Sequence, residues 1–280
     1  MSIGRYQRVS FRHRFSGGQG HTLAAIIDRP SPDQLPVPPV LVFSHCFTCN
    51  KDLKAITRIS RRMAELGIAV FRFDMTGLGG SEGDFSQTNF STNLADIGAA
   101  VHAASEEIGP VTSLMGMSFG GAASLGFASG MLSSDSARIQ SVMTLAAPSD
   151  TQHLAALLVR MNPAIESSGK GEVVIGGRSW LIRKQMIDDF RSHALADQLP
   201  ELSVPVLVMH SPVDETVSYD HALRIASLVG TRGAAGTQGA AGTRCSILTL
   251  NGADHLLTRD MADIEWIAAS AAAFIQRHAH

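Results

Sequence analysis

The chain is short of the features that mark several protein classes. It has three cysteines in 280 residues, an odd and small number that builds no disulfide framework. That usage fits a reducing cytoplasm. Lysine plus arginine, 23, nearly balances aspartate plus glutamate, 25. A net charge of −2 therefore sets up no field that would gather nucleic acid or an anionic membrane. No apolar run approaches the ~20 residues of a membrane span. The opening "MSIGRYQRVSFRHRFSG" is charged throughout and lacks the apolar stretch of a secretory signal. The pattern suggests neither a metal ligand set nor a cofactor fingerprint, so neither is expected.

What the chain does have is apolar material, 45% of residues, enough for one large core over residues 1–280. Short apolar runs alternate with helical patterns. "LAAIID" (23–28), "VLVFSH" (40–45), "GIAVFRFD" (67–74), "VTSLMG" (111–116), "IQSVMTLAAP" (139–148), "VPVLVMHSPVD" (204–214) and "CSILTL" (245–250) read as strands. Between them, Phe90, Leu94, Ile97, Val101 and Ala104 step at helical spacing, as do Met261, Ile264, Ile267, Ala271 and Phe274. Alternation of this kind predicts a mostly parallel sheet covered on both faces. The first two strands have no helix between them, so that edge is expected to be antiparallel. Residues from about 149 to 200 break the rhythm and read as a small cap-like insertion. "TRGAAGTQGAAGTR", residues 231–244, repeats "GAAGT" and reads as a surface loop.

The chemistry centres on "GMSFGG", residues 116–121, which satisfies G-x-S-x-G with a strand before it and a helical pattern after it. A serine on so sharp a turn stands above the sheet, and the glycines are needed where side chains would strike backbone. Ser118 is the candidate nucleophile. Such a serine needs a base, and the base needs an orienting acid, in chain order Ser, Asp/Glu, His. Asp214 and His255 follow late strands, at the carboxyl ends where parallel sheets place their sites. Asp214 is preferred to its neighbour Glu215, and to Asp254, which lies too close to His255 to face the same imidazole. His210 lies inside a strand and reads as packing. Asp74 reads as a loop-capping residue.

The stretch "SHCFTCNKD", residues 44–52, follows the strand at 40–45 and leads into a helix. This is where a second oxyanion donor belongs, Phe119 N–H being the first. Phe47 N–H is the expected second donor. The C-x-x-C of Cys46 and Cys49 is then incidental to the chemistry, and His45 is a hydrogen-bonding support.

"GMSFGG", "FDMTGLGGSEG" and "NGADHLL" together resemble the α/β-hydrolase superfamily across nearly the whole chain. "HCFTCNKD", "IGGRSWLIRKQMIDDF", "MHSPVDETV" and "GADHLLTR" look more narrowly like the hydrolase portion of bacterial proteins that fuse such a hydrolase to an OsmC-like domain. The resemblance covers the hydrolase portion alone, so no OsmC-like half is expected in this chain. The resemblance implies an α/β-hydrolase fold with an eight-stranded, mostly parallel sheet. It supports Ser118, Asp214 and His255 as triad, and a small-molecule acyl substrate. It names no protein partner. Hydrolysis of a thioester, amide or C–C bond is the nearest alternative. A non-catalytic fold and a thiol-redox protein using Cys46 and Cys49 are the more distant ones.

Overall fold

The computed structural model describes residues 6–131, 139–231 and 244–279. The strands are β1 (Arg8–Ser16), β2 (Thr22–Pro30), β3 (Val40–Ser44), β4 (Ala69–Phe73), β5 (Val111–Met117), β6 (Ser141–Leu145), β7 (Lys170–Ile175), β8 (Arg178–Arg183), β9 (Val206–His210) and β10 (Cys245–Thr249). The helices are α1 (Lys54–Glu65), α2 (Phe90–Glu107), α3 (Phe119–Ala128), α4 (Gln152–Met161), α5 (Ala164–Ser167), α6 (Lys184–Ser192), α7 (Leu195–Gln198), α8 (Asp220–Leu228) and α9 (Met261–His278).

Eight strands form one sheet in the order β1-β2-β4-β3-β5-β6-β9-β10. From β4 to β10 every neighbour is parallel, and β1 and β2 complete one edge in antiparallel fashion. This is the α/β-hydrolase sheet expected from the sequence. Strand side chains alternate between faces, and the two cores divide accordingly. Val40 and Val42 of β3 join the core under α2 and α3, while Leu41 and Phe43 join the core under α1 and α9. Strands buried on both faces must be apolar at nearly every position, which is why they read as continuous runs.

Two expectations are corrected. The strand at residues 23–28 does not pair with the strand at 40–45. It becomes β2, which lies between β1 and β4, so β4 separates it from β3. β1, "RVSFRHRFS", went unrecognised because three arginines hide the alternation of Val9, Phe11, His13 and Phe15. β4 also carries a buried charge: Arg72 donates to Asp28 of β2 at 2.8 Å, so the cation is paired on the spot.

The chain leaves β6 for α4, α5, the β7–β8 hairpin, α6 and α7, and returns at β9, the neighbour of β6. The hairpin pairs as a separate two-stranded sheet. Its turn is Gly176-Gly177, with φ of 59° and 76°, the left-handed pair that a tight two-residue hairpin turn requires. Of the "GAAGT" repeat, residues 232–243 lie outside the described residues. Among the described residues, no helix is long and apolar enough to cross a membrane, and no cluster of three or more His, Cys, Asp or Glu could hold a metal ion.

Candidate active site

Ser118 sits between β5 and α3 with φ 53° and ψ −122°. That is a strained conformation for a residue with a Cβ, and it persists only where the surroundings dictate it. They do so by close approach. A Cβ on Gly116 would stand 2.1 Å from the Gly120 carbonyl oxygen, and one on Gly120 would stand 2.4 Å from the carbonyl oxygens of both Ser44 and His45. The two glycines thus let the turn fold onto itself and onto the β3–α1 loop. Ser118 N–H donates to the Leu145 carbonyl at 2.8 Å, tying the turn to β6.

The three residues singled out in sequence meet here. His255 Nε2 lies 3.1 Å from Ser118 Oγ, and His255 Nδ1 lies 2.8 Å from Asp214 Oδ2. Asp214 Oδ1 also accepts from Thr216 N–H at 2.8 Å and Val217 N–H at 2.9 Å. Burial alone would raise the Asp214 pKa, but these donors together with His255 hold it below the usual carboxylate range. Asp214 is therefore an anion that fixes the imidazole. Glu215 is not drawn into this chain of bonds, and Asp254 instead caps its own loop by accepting from Thr258 and Arg259. His210 is buried beside Asp214. Its Nε2 bonds the Val217 carbonyl at 2.8 Å, and burial pushes its pKa down.

Facing Ser118 across this turn is the β3–α1 loop. His45 is buried, with Met75 N–H donating to its Nε2 at 3.1 Å. The proton is therefore on Nδ1, which donates to the Cys46 carbonyl at 2.8 Å. Burial pushes the His45 pKa down, which keeps this neutral tautomer. The Cys46 carbonyl also accepts from Cys49 N–H at 3.1 Å. In a trans peptide the N–H points opposite the C=O, so two bonds on the Cys46 carbonyl fix the direction of Phe47 N–H. Among the described residues, neither Phe47 N–H nor Phe119 N–H donates to a backbone acceptor.

Much of what holds this loop comes from residues outside it. Lys51 Nζ bonds Asp74 at 2.8 Å, Asp74 also accepts from Lys51 N–H and Gly80 N–H, and Arg72 donates to the Lys51 carbonyl at 2.7 Å. Asp74 is thus a loop clamp, as its position suggested. Arg72 could have been noticed as a charge at an inward position of an apolar strand. Cys46 and Cys49 are joined by a disulfide, with Cα atoms 5.3 Å apart. A single disulfide is no framework, but it departs from the reduced cysteines that a reducing cytoplasm implies: C-x-x-C spacing on a tight turn brings the two sulfurs together.

Residues 40–170 match a hydrolase family described as serine aminopeptidase, S33. The crystal structure of the esterase domain of a Rhodothermus marinus protein is 32% identical, with a TM-score of 0.72, covering 97% of this chain and 100% of that one. The chain belongs to the α/β-hydrolase superfamily. Two further α/β-hydrolase-fold structures share the fold at lower identity. Est1E from Butyrivibrio proteoclasticus, with ferulic acid bound, is 20% identical over 94% of this chain and 98% of that one, at a TM-score of 0.75. The mouse α/β hydrolase domain-containing protein 10 is 18% identical over 95% and 99%, at 0.72. No curated protein matches the chain in sequence.

In this α/β-hydrolase the Ser118 hydroxyl opens onto a pocket of about 530 Å³. Phe47 and Phe119 form its floor, and Leu154, Leu157, Val174 and Trp180 come from the segment between β6 and β9. From α4, Leu154, Leu157 and Met161 line it. Leu158 points into the core and Val159 packs against it, because a helix presents only one face to the pocket. Arg178 lies at the rim, its guanidinium 5.4 Å from the Trp180 ring centre.

Proposed function

We propose that the protein is a serine esterase that cleaves an ester of an apolar acyl group through an acyl-enzyme intermediate. The observation that carries this reading is the unbroken bond chain from Asp214 through His255 to Ser118, at the mouth of an apolar pocket. His255 takes the Ser118 proton as Oγ attacks the acyl carbonyl. Asp214 holds the imidazole and stabilises its charged form. The N–H groups of Phe47 and Phe119, which have no backbone acceptor among the described residues, receive the tetrahedral oxyanion. Collapse expels the alcohol, which takes the proton from His255. Water, deprotonated by the same imidazole, then releases the acid.

Ester cleavage is favoured over the aminopeptidase activity named for the matched family. An aminopeptidase must hold a substrate ammonium, and none of the described residues lining the pocket is acidic. The ring-lined walls suit an aromatic or medium-length acyl group, as does the ferulic acid held by Est1E. We read residues 149–200 as the cap that shapes this pocket. A cytoplasmic location, as composition suggests, would keep the Cys46–Cys49 bond in contact with thiols.

The test is hydrolysis of p-nitrophenyl esters from acetate to laurate and of an aromatic acid ester, with Ser118→Ala alongside. Loss of hydrolysis in the variant, with a rate maximum at the acyl size the pocket holds, is expected. Hydrolysis that survives Ser118→Ala would sink the reading.

A further inference from the structure

Acyl transfer by serine has no use for a disulfide, yet one closes on the loop that faces Ser118. The ring it forms contains Phe47. A role for that ring in the chemistry rests on the esterase reading, in which Phe47 N–H is an oxyanion donor.

The turn from Cys46 to Cys49 is not one the backbone chooses unaided. Thr48 has φ of 59°, a left-handed conformation that β-branched residues avoid. With positive φ at the third position only, and Cys49 N–H on the Cys46 carbonyl, this is a type II turn, which ordinarily carries glycine there. Such a conformation survives where something over-determines it. Here the cross-link spans the turn's two ends.

The two sulfurs differ in exposure. Cys46 is 4% exposed, whereas Cys49 is half-buried and lines two cavities. One is the acyl pocket. The other is a neighbouring cleft of about 530 Å³, also lined by Leu53, Lys54, Arg58 and Leu256. A thiol can therefore approach Cys49 through a cleft that does not contain Ser118, where two cations, Lys54 and Arg58, stand against one carboxylate, Asp52, a balance that favours a thiolate.

We propose that the Cys46–Cys49 disulfide is a thiol-exchange site that gates the oxyanion hole. Closed, it holds the turn that aims Phe47 N–H at the oxyanion. Opened by a thiol reductant, it releases Thr48 from its left-handed conformation and lets that N–H turn away. In the exchange, a thiolate attacks Cys49 Sγ, the S–S bond breaks, and Cys46 leaves as a thiolate that takes up a proton. A second thiolate then attacks the first thiol's sulfur, Cys49 leaves as a thiolate that takes up a proton, and the two external thiols depart joined as a disulfide. Two electrons pass from the two thiols to the protein. The third cysteine stands apart: burial pushes the Cys245 thiol up to about 12, so it stays protonated and inert.

The experiment compares kcat for a p-nitrophenyl ester before and after dithiothreitol treatment and gel filtration. It uses Cys245→Ser protein, with thiols counted by alkylation and mass spectrometry and the fold followed by near-ultraviolet circular dichroism. Loss of one oxyanion donor typically costs on the order of 10²–10³ in turnover, so a loosened one is expected to cost about tenfold or more. KM should change little, and reoxidation should restore the rate. The Cys46→Ser/Cys49→Ser protein should show the reduced enzyme's rate and ignore dithiothreitol. An unchanged kcat after two thiols appear overturns the gate and leaves the hydrolase reading standing. Loss of the folded spectrum on reduction also overturns it, since the bond would then be structural. An oxidised protein that hydrolyses no ester overturns both.

Discussion

The two halves of the site are held by different means. The turn carrying Ser118 is fixed by backbone: Gly116 and Gly120 sit so close to neighbouring carbonyl groups that no side chain fits. The β3–α1 loop opposite is fixed by side chains: His45 on the Cys46 carbonyl, Lys51 on Asp74, and the Cys46–Cys49 bond. Backbone contact is all-or-none, because a Cβ either fits or does not. Side-chain bonds can be weakened one at a time. The half that presents the nucleophile is thus rigid by construction, and the half that would receive the oxyanion is adjustable.

That contrast is best broken at its rigid end. Ser118→Ala should leave the fold intact and lower kcat on the order of 10⁴–10⁶-fold in an ester assay. Gly120→Ala should act through folding instead. Its Cβ has no room between the Ser44 and His45 carbonyls, so a loss of roughly 4 kcal/mol or more is expected in urea unfolding. A soluble Gly120→Ala protein of wild-type stability would refute the backbone account.

The adjustable half should respond in smaller steps. Lys51→Met strips the buried Asp74 carboxylate of its cation but leaves it two N–H donors. The expected cost is about 3 kcal/mol in denaturant unfolding, with a measurable fall in kcat as the loop loosens. His45 and His210 give a pH signature. Burial lowers both pKa values, so the unfolded chain takes up protons near pH 6.5 that the folded chain refuses. Their contribution is fully present above that pH and declines as pH falls below it, by at most about 1.4 kcal/mol per pH unit for each histidine. A melting temperature that stays flat from pH 7.5 to 5 would contradict this. The smallest effect is expected at Leu157. Leu157→Trp should shift acyl preference towards shorter chains by about tenfold in kcat/KM, leaving stability nearly unchanged.

The rigid half was also the half legible in sequence. The G-x-S-x-G turn is local, and its glycines are required by contacts within a few residues. Asp214 and His255 were found because they follow strands, and strand ends are where a parallel sheet gathers its loops. In the adjustable half His45 and Asp74 were legible as supports, but the long-range partners were not, because they join residues far apart in the chain. Lys51 reaches Asp74, and Arg72 reaches Asp28, only after β4 has entered the sheet between β2 and β3. The disulfide escaped for a different reason. Composition argued for reduced cysteines, and composition cannot sense how tightly a four-residue turn closes. β1 escaped because charge on its outer face masked a period-two pattern.

The rings that line the pocket floor carry a practical consequence. Phe47 packs against Phe85, Phe119 and Phe190, and Trp180 stacks edge-on against Phe85 at 4.9 Å. The chain has two tryptophans, and the other, Trp266, is 47% exposed on α9, away from the pocket lining. A Trp266→Phe protein would therefore have its one tryptophan on the pocket wall. Its emission would report the arrival of an acyl group and the state of the neighbouring loop, with no label attached.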